Sequence, residues 1–63
     1  MYRRVWMITC NMNGFKYKVF VEATEENLLQ FMKTEIPNAI KYVGATNEEV
    51  KAAKILKLPI YLI

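Results

Sequence analysis

One pattern occurs twice in the chain, as YKVFVEATEENLLQFMKTEIP at positions 17–37 and as AIKYVGATNEEVKAAKILKLP at positions 39–59. At an offset of 22 positions, the two copies share Val, Ala, Thr, Glu and Pro at equivalent places. These are the places where a strand ends, a helix is capped and a helix must stop. The repeat therefore predicts two consecutive strand–helix units.

The segment before the repeat, overlapping its first copy, has the pattern of a β-hairpin over Tyr2–Glu22. Asn13-Gly14 favours a type I′ turn, which needs positive φ at both central residues. A two-residue turn at this point places a set of apolar side chains on one face of the hairpin. The set is Trp6, Ile8, Cys10, Met12, Phe15, Tyr17, Val19 and Val21. A slip of one residue would move the whole set to the other face, so the pattern fixes the register.

The first helix is predicted to begin after Thr24, which can cap it, with Glu25 and Glu26 in the first turn, where the helix dipole favours acids. It should end near Thr34, because Pro37 removes a donor and restricts the residue before it. Three- and four-residue spacing predicts a buried stripe. The stripe is Leu28, Leu29, Phe31 and Met32.

The second unit is predicted as a strand over Ala39–Gly44, with Ile40 and Tyr42 on one face and Lys41 and Val43 on the other. Thr46 and Glu49 have the spacing of a capping box that opens a second helix. Its inward residues are expected to be Val50, Ala53, Ile55 and Leu56. Pro59 stops this helix, and Ile60–Ile63 should form a last strand.

These elements predict one domain over residues 1–63, with the order ββαβαβ. Right-handed crossovers make strands two, three and four parallel, with the first strand antiparallel to its hairpin partner. If both crossovers run in the same direction, both helices lie on one face of a mixed four-stranded sheet. We therefore predict an α/β fold, an α+β-like two-layer sandwich, in which the face carrying Met7 and Phe20 is open.

The composition excludes several kinds of site. The chain contains no His, Ser or Asp and has one cysteine, Cys10, which the hairpin register points into the core. Ser-His-Asp catalysis and His-containing zinc sites are therefore impossible. The glutamate pairs at the two helix starts could be a Mg²⁺ site, but adjacent helical residues converge poorly and ordinary first-turn acids explain them. We expect no enzyme, catalytic residue, metal, cofactor or small-molecule substrate.

The expected location is the cytoplasm. A lone cysteine fits a reducing compartment, and Arg3 and Arg4 lead directly into the strand pattern without the apolar run of a signal peptide. No stretch reaches the length of a membrane span. We therefore expect no membrane interaction.

The apolar content suggests an interaction surface. It is 54% of the chain, above the roughly 45–50% usual for a soluble domain. The open face and the uncharged last strand could together contact another chain. The predicted surface is Met7, Phe20, Val5, Ile60 and Leu62. Two alternatives for the Met7 and Phe20 face are burial under a helix, which ranks second, and nucleic-acid contact, which ranks third.

The charge gives a second functional hypothesis. A net charge of +3 has the sign of a nucleic-acid binder. The candidate contacts are Arg3, Lys16, Lys18, Lys51, Lys54 and Lys57. The favoured function is nevertheless non-catalytic protein–protein interaction, with the chain as a homodimer, and the nucleic-acid-binding module is the alternative.

Overall fold

The computed structural model describes residues 2–63 and confirms the N-terminal hairpin. Strand β1 (Arg4–Met12) pairs antiparallel with β2 (Phe15–Ala23), and Met12 lies opposite Phe15 as predicted. Asn13 and Gly14 have φ of 53° and 84°, as a type I′ turn requires. Three members of the predicted apolar face, Ile8, Cys10 and Val21, are fully buried.

Helix α1 (Glu25–Glu35) begins where the sequence predicts. The Thr24 hydroxyl accepts a hydrogen bond of 3.2 Å from the Asn27 N–H and so caps the helix. Leu28 is fully buried, but the prediction for Leu29 is wrong because this side chain is 48% exposed. Adjacent helical residues point about 100° apart, so Leu28 and Leu29 cannot both face the sheet squarely.

Strand β3 (Ala39–Gly44) leads to α2 (Asn47–Ile55) through a complete capping box. The Glu49 N–H donates to the Thr46 hydroxyl over 3.1 Å, and the Thr46 N–H donates to Glu49 Oε1 over 2.9 Å. Val50 and Ala53 face the sheet, but Ile55 and Leu56 were wrongly predicted to do so. Ile55 follows Ala53 by two positions, which turns it about 200° to the solvent side.

The end of α2 is a Schellman motif, in which two backbone bonds close the last turn. The Leu58 N–H donates to the Ala53 carbonyl over 2.8 Å and the Lys57 N–H to the Lys54 carbonyl over 3.1 Å. Lys57 has φ of 59°, at the position where glycine is usual. Lys57 therefore lies past the helix and is not part of a stripe with Lys51 and Lys54.

The last strand, β4 (Ile60–Leu62), completes a four-stranded sheet in the order β3-β1-β2-β4. β4 is parallel to β2, and β3 is antiparallel to β1, as β2 is. The predicted element order and the mixed sheet are confirmed.

The predicted placement of both helices on one face is wrong. β3 and β4 lie at opposite edges, so the two crossovers run in opposite directions along the sheet. Right-handed crossovers in opposite directions put their helices on opposite faces. Leu28 of α1 packs with Ile8 and Val21, whereas Ala53 of α2 packs with Phe20 on the other side. The fold therefore has three layers, and neither sheet face is fully open.

Candidate interaction surface

Helix α2 covers only part of the sheet face below it. Phe20 is 9% exposed and packs with Ala53 and Ala45, with Val5, Met7, Val50 and Ile60 around them. Burial under a helix, the second-ranked alternative, is thus what the structure shows for Phe20. A partner cannot reach Phe20 without displacing α2.

The uncovered part of this face forms a groove of about 360 Å³, which we call the lysine groove. Its apolar floor includes Met7, Ile40 and Val43, and Val43 is 49% exposed. The remaining lining residues are Thr9, Lys16, Tyr17, Lys18 and Lys41. Three of the eight lining residues are lysines, and none of the eight is acidic. The groove therefore combines apolar contact area with positive charge.

A β-bulge shapes the groove. The register between β1 and β3 shifts between Thr9 and Cys10, so that Ile40 has no cross-strand partner. The prediction that Ile40 shares a face with Tyr42 is wrong, because Ile40 lines the groove together with Lys41 and Val43. Bulges commonly redirect one side chain in this way. The apolar floor is wider as a result.

Lys18 also interacts electrostatically with the start of α2. Its charge contributes to lowering the pKa of Glu49, although the two hydrogen bonds with Thr46 are the larger causes. The cap of α2 and the rim of the groove are therefore electrostatically linked.

The two edges of the sheet differ in length and charge. β3 presents six residues, including Lys41, whereas β4 presents three residues without charge. Leu62 on β4 is 73% exposed and shares the α2 side with Ile60. Exposed Leu56 and Leu58 lie in the connection that leads into β4. The C-terminal edge is therefore an apolar surface separate from the lysine groove.

The candidate nucleic-acid contacts lie on different elements of the fold. Arg3 donates through Nη2 to the Glu22 carbonyl over 2.8 Å, and its Nε lies 3.7 Å from Glu22 Oε2, which ties it to the end of β2. Lys16 and Lys18 line the groove, whereas Lys51 and Lys54 are exposed on α2. Lys41 was missed. The alternation of β3 already placed Lys41 beside Val43, but the strand order that brings β3 next to β1 was needed to join them to Met7.

One glutamate at each helix start, Glu25 in α1 and Glu49 in α2, has a structural partner. The Tyr42 hydroxyl donates to Glu25 Oε2 over 3.0 Å, and Glu49 closes the capping box. Within residues 2–63, no group of three or more His, Cys, Asp or Glu side chains could hold a metal ion. Cys10 is buried, as predicted.

A second cluster lies on the α1 side, at the start of β1. The Arg4 guanidinium carbon lies 5.2 Å from the centroid of the Trp6 ring and occupies the space that a Cβ on Gly44 would fill. Trp6 donates through Nε1 to the Ala23 carbonyl over 3.0 Å and meets Tyr42 edge-on, with ring centroids 5.6 Å apart. These contacts join β1 to β2 and β3, and they explain the cluster by a structural role.

Comparison with protein-family models, with curated proteins and with solved structures finds no significant match. No helix in the described part of the chain is long and apolar enough to cross a bilayer.

Proposed function

We propose that this chain is a non-catalytic binding protein whose partner is another protein. The lysine groove carries this proposal, because it leaves aliphatic side chains exposed beside an edge strand. Sheet edges next to side-chain pockets are a recurring mode of peptide recognition, in which the backbone supplies affinity and the pockets supply specificity.

The floor of the groove favours a protein over a nucleic acid. Proteins that bind single strands stack the bases on aromatic rings lying in a basic groove. Here the floor is formed by Met7, Ile40 and Val43, and the one aromatic residue in the lining is Tyr17. Aliphatic side chains offer apolar contact to other side chains but no stacking platform. The lysines alone support the nucleic-acid alternative.

Self-association is a second proposal, and it concerns the other edge. β4 and its preceding connection expose Leu56, Leu58 and Leu62 without an intervening acid. An uncharged, exposed edge strand favours pairing with a second chain. Sedimentation velocity should show a dimer that Leu62→Glu dissociates. A monomer at high concentration would contradict this proposal.

Paired variants test the groove. Val43→Glu places a charge on the floor of the groove, and Leu29→Glu places the same charge at a side chain of nearly equal exposure on the α1 side. Cross-linking in the native cell followed by mass spectrometry identifies candidate partners. Purified partner is then titrated against each variant after circular dichroism has confirmed its fold.

We expect Val43→Glu to weaken binding about tenfold or more, as loss of an apolar contact in an interface centre does, and Leu29→Glu to have little effect. Equal effects of the two variants would overturn the proposal. A partner that nuclease removes would assign the groove to the nucleic-acid alternative.

A further inference from the structure

One row of backbone groups on β3 faces the open side of the sheet. The Ala45 N–H donates to the Val5 carbonyl over 2.9 Å, and bonded and non-bonded pairs alternate along an antiparallel ladder. Val43, two positions earlier, therefore bonds to β1 through its opposite residue Met7. The N–H and C=O groups of Gly44, between Val43 and Ala45, and of Tyr42, one position before Val43, therefore point away from β1. This edge can accept another strand.

The side chains beside this edge define what the added strand should carry. Neighbouring strands lie about 4.8 Å apart, and alternate side chains share a face. On the groove side, an added strand would place one side chain beside Lys41 and another, two positions away, beside Val43. Opposite charges and apolar pairs at such positions are favourable, and like charges are not. Lys16 and Lys18 extend the positive potential across the groove.

We infer that the partner contributes an extended acidic segment, which joins β3 as a fifth strand. This inference rests on the proposed function and names the chemistry of the partner. The segment carries an acidic residue beside Lys41 and an apolar residue two positions away beside Val43. A second copy of this chain fits the edge poorly, because two β3 strands pairing antiparallel through Tyr42 would place each Lys41 beside a Val43 and offer it no acidic partner.

A model peptide tests the inference directly. Fluorescein-labelled Val-Thr-Glu-Thr-Val-Thr-Glu places valine and glutamate alternately on one face of a strand. It is titrated by fluorescence anisotropy against the whole chain, beside a version with Gln in place of Glu and a version with N-methylated backbone. We expect saturable binding of the first peptide, weakening about tenfold or more for each of the other two, and weakening with added salt.

Two charge-reversing variants locate the site. Lys41→Glu should weaken binding of the acidic peptide about tenfold or more, whereas Lys51→Glu, with the same charge change on α2, should change it much less. Amide resonances of Tyr42 should shift most in the spectrum of the complex. Equal losses in the two variants, or equal binding of the N-methylated peptide, would overturn the inference.

Binding of the natural partner distinguishes the acidic-strand inference from the proposed function. If Val43→Glu abolishes binding of the natural partner while the acidic peptide does not bind, the acidic-strand inference is wrong and the proposed function stands. If Val43→Glu leaves binding of the natural partner unchanged and the acidic peptide does not bind, both the inference and the proposed function are wrong. Tighter binding of single-stranded oligothymidylate than of the peptide, also lost in Lys41→Glu, would assign the edge to nucleic acid and overturn the inference.

Discussion

Met7 and Phe20 are direct cross-strand partners on one face of the sheet, yet α2 buries Phe20 and leaves Met7 on the floor of the lysine groove. The difference arises because α2 returns from one edge of the sheet to the other and spans only nine residues. A short helix covers part of a face. The remaining part is the surface on which the functional proposals depend.

Lys57 provides a test of the Schellman motif. It is a non-glycine residue with φ of 59°, a conformation that costs L residues roughly 1–2 kcal/mol. Lys57→Gly should therefore raise the free energy of unfolding by about 1 kcal/mol, and the Tm by about 4–8 °C. Urea and thermal denaturation measure both quantities.

A matched control is Lys51→Gly in the middle of α2, which should lower the free energy of unfolding by about 1 kcal/mol. If Lys57→Gly and Lys51→Gly both lower the free energy of unfolding, Lys57 does not have the left-handed conformation.

The bond between Tyr42 and Glu25 predicts an alkaline transition. The hydrogen bond to the Glu25 carboxylate raises the pKa of Tyr42 above its ordinary value of 10.0, and burial and the negative charge of Glu25 act in the same direction. A raised folded-state pKa means that the stabilisation is complete below about pH 10 and is lost as the pH rises through the higher folded value.

Absorbance of tyrosinate, with Tyr42 assigned by Tyr42→Phe, follows this titration. Glu25→Gln should lower the pKa of Tyr42, because the acceptor loses its charge. An unchanged Tyr42 titration in Glu25→Gln would show that the contact is absent in solution.

Glu49 predicts a transition at acid pH. Its hydrogen bonds with Thr46 lower the pKa of Glu49 below 4.5, helped by the charge of Lys18. A lowered folded-state pKa gives stabilisation that is present above about pH 4.5 and is lost as the pH falls through the lower folded value. Gln can also close a capping box but does not titrate.

The urea midpoint of Glu49→Gln should consequently fall less than that of the natural chain between pH 6 and pH 3. Identical falls would mean that the capping box does not contribute to the acid sensitivity.

Gly44 and Arg4 should be energetically coupled. A Cβ at Gly44 would displace the Arg4 guanidinium from its place over Trp6, a cation–π contact worth about 0.5–1 kcal/mol at an exposed site. Gly44→Ala also restricts the unfolded chain, which by itself raises the free energy of unfolding by about 0.5–1 kcal/mol. In the natural chain these two effects nearly cancel, so Gly44→Ala should change the free energy of unfolding little.

In an Arg4→Ala background, Gly44→Ala should instead be stabilising by about 0.5–1 kcal/mol. A double-mutant cycle by urea denaturation measures the coupling. Additive effects would show that Arg4 does not occupy the space above Gly44.

The hairpin was predictable because one turn and one apolar pattern determine it together. Asn13-Gly14 fixed the register, and the buried Ile8 and Val21 follow from that register. The capping box at Thr46 was predictable for the same reason, since all its determinants lie within four consecutive residues. Local signals of this kind do not depend on the rest of the fold.

The strand order was not predictable from local signals. The right-handed crossover rule is obeyed whether β3 lies beside β2 or beyond β1, and the side of the sheet that α2 covers depends on that choice. The groove was not predictable for the same reason, because Val43 lies beside Met7 only when β3 pairs with β1. The bulge at Ile40 is likewise a property of the pairing and has no glycine to signal it.

Nuclear Overhauser effects test the three-layer arrangement most directly, since every functional proposal depends on it. In the three-layer arrangement, the Phe20 ring should show contacts to the Ala53 methyl group, and Leu28 should show separate contacts to Val21. Contacts from Ala53 to Ile8 or Val21, with none to Phe20, would place both helices on one face and contradict it.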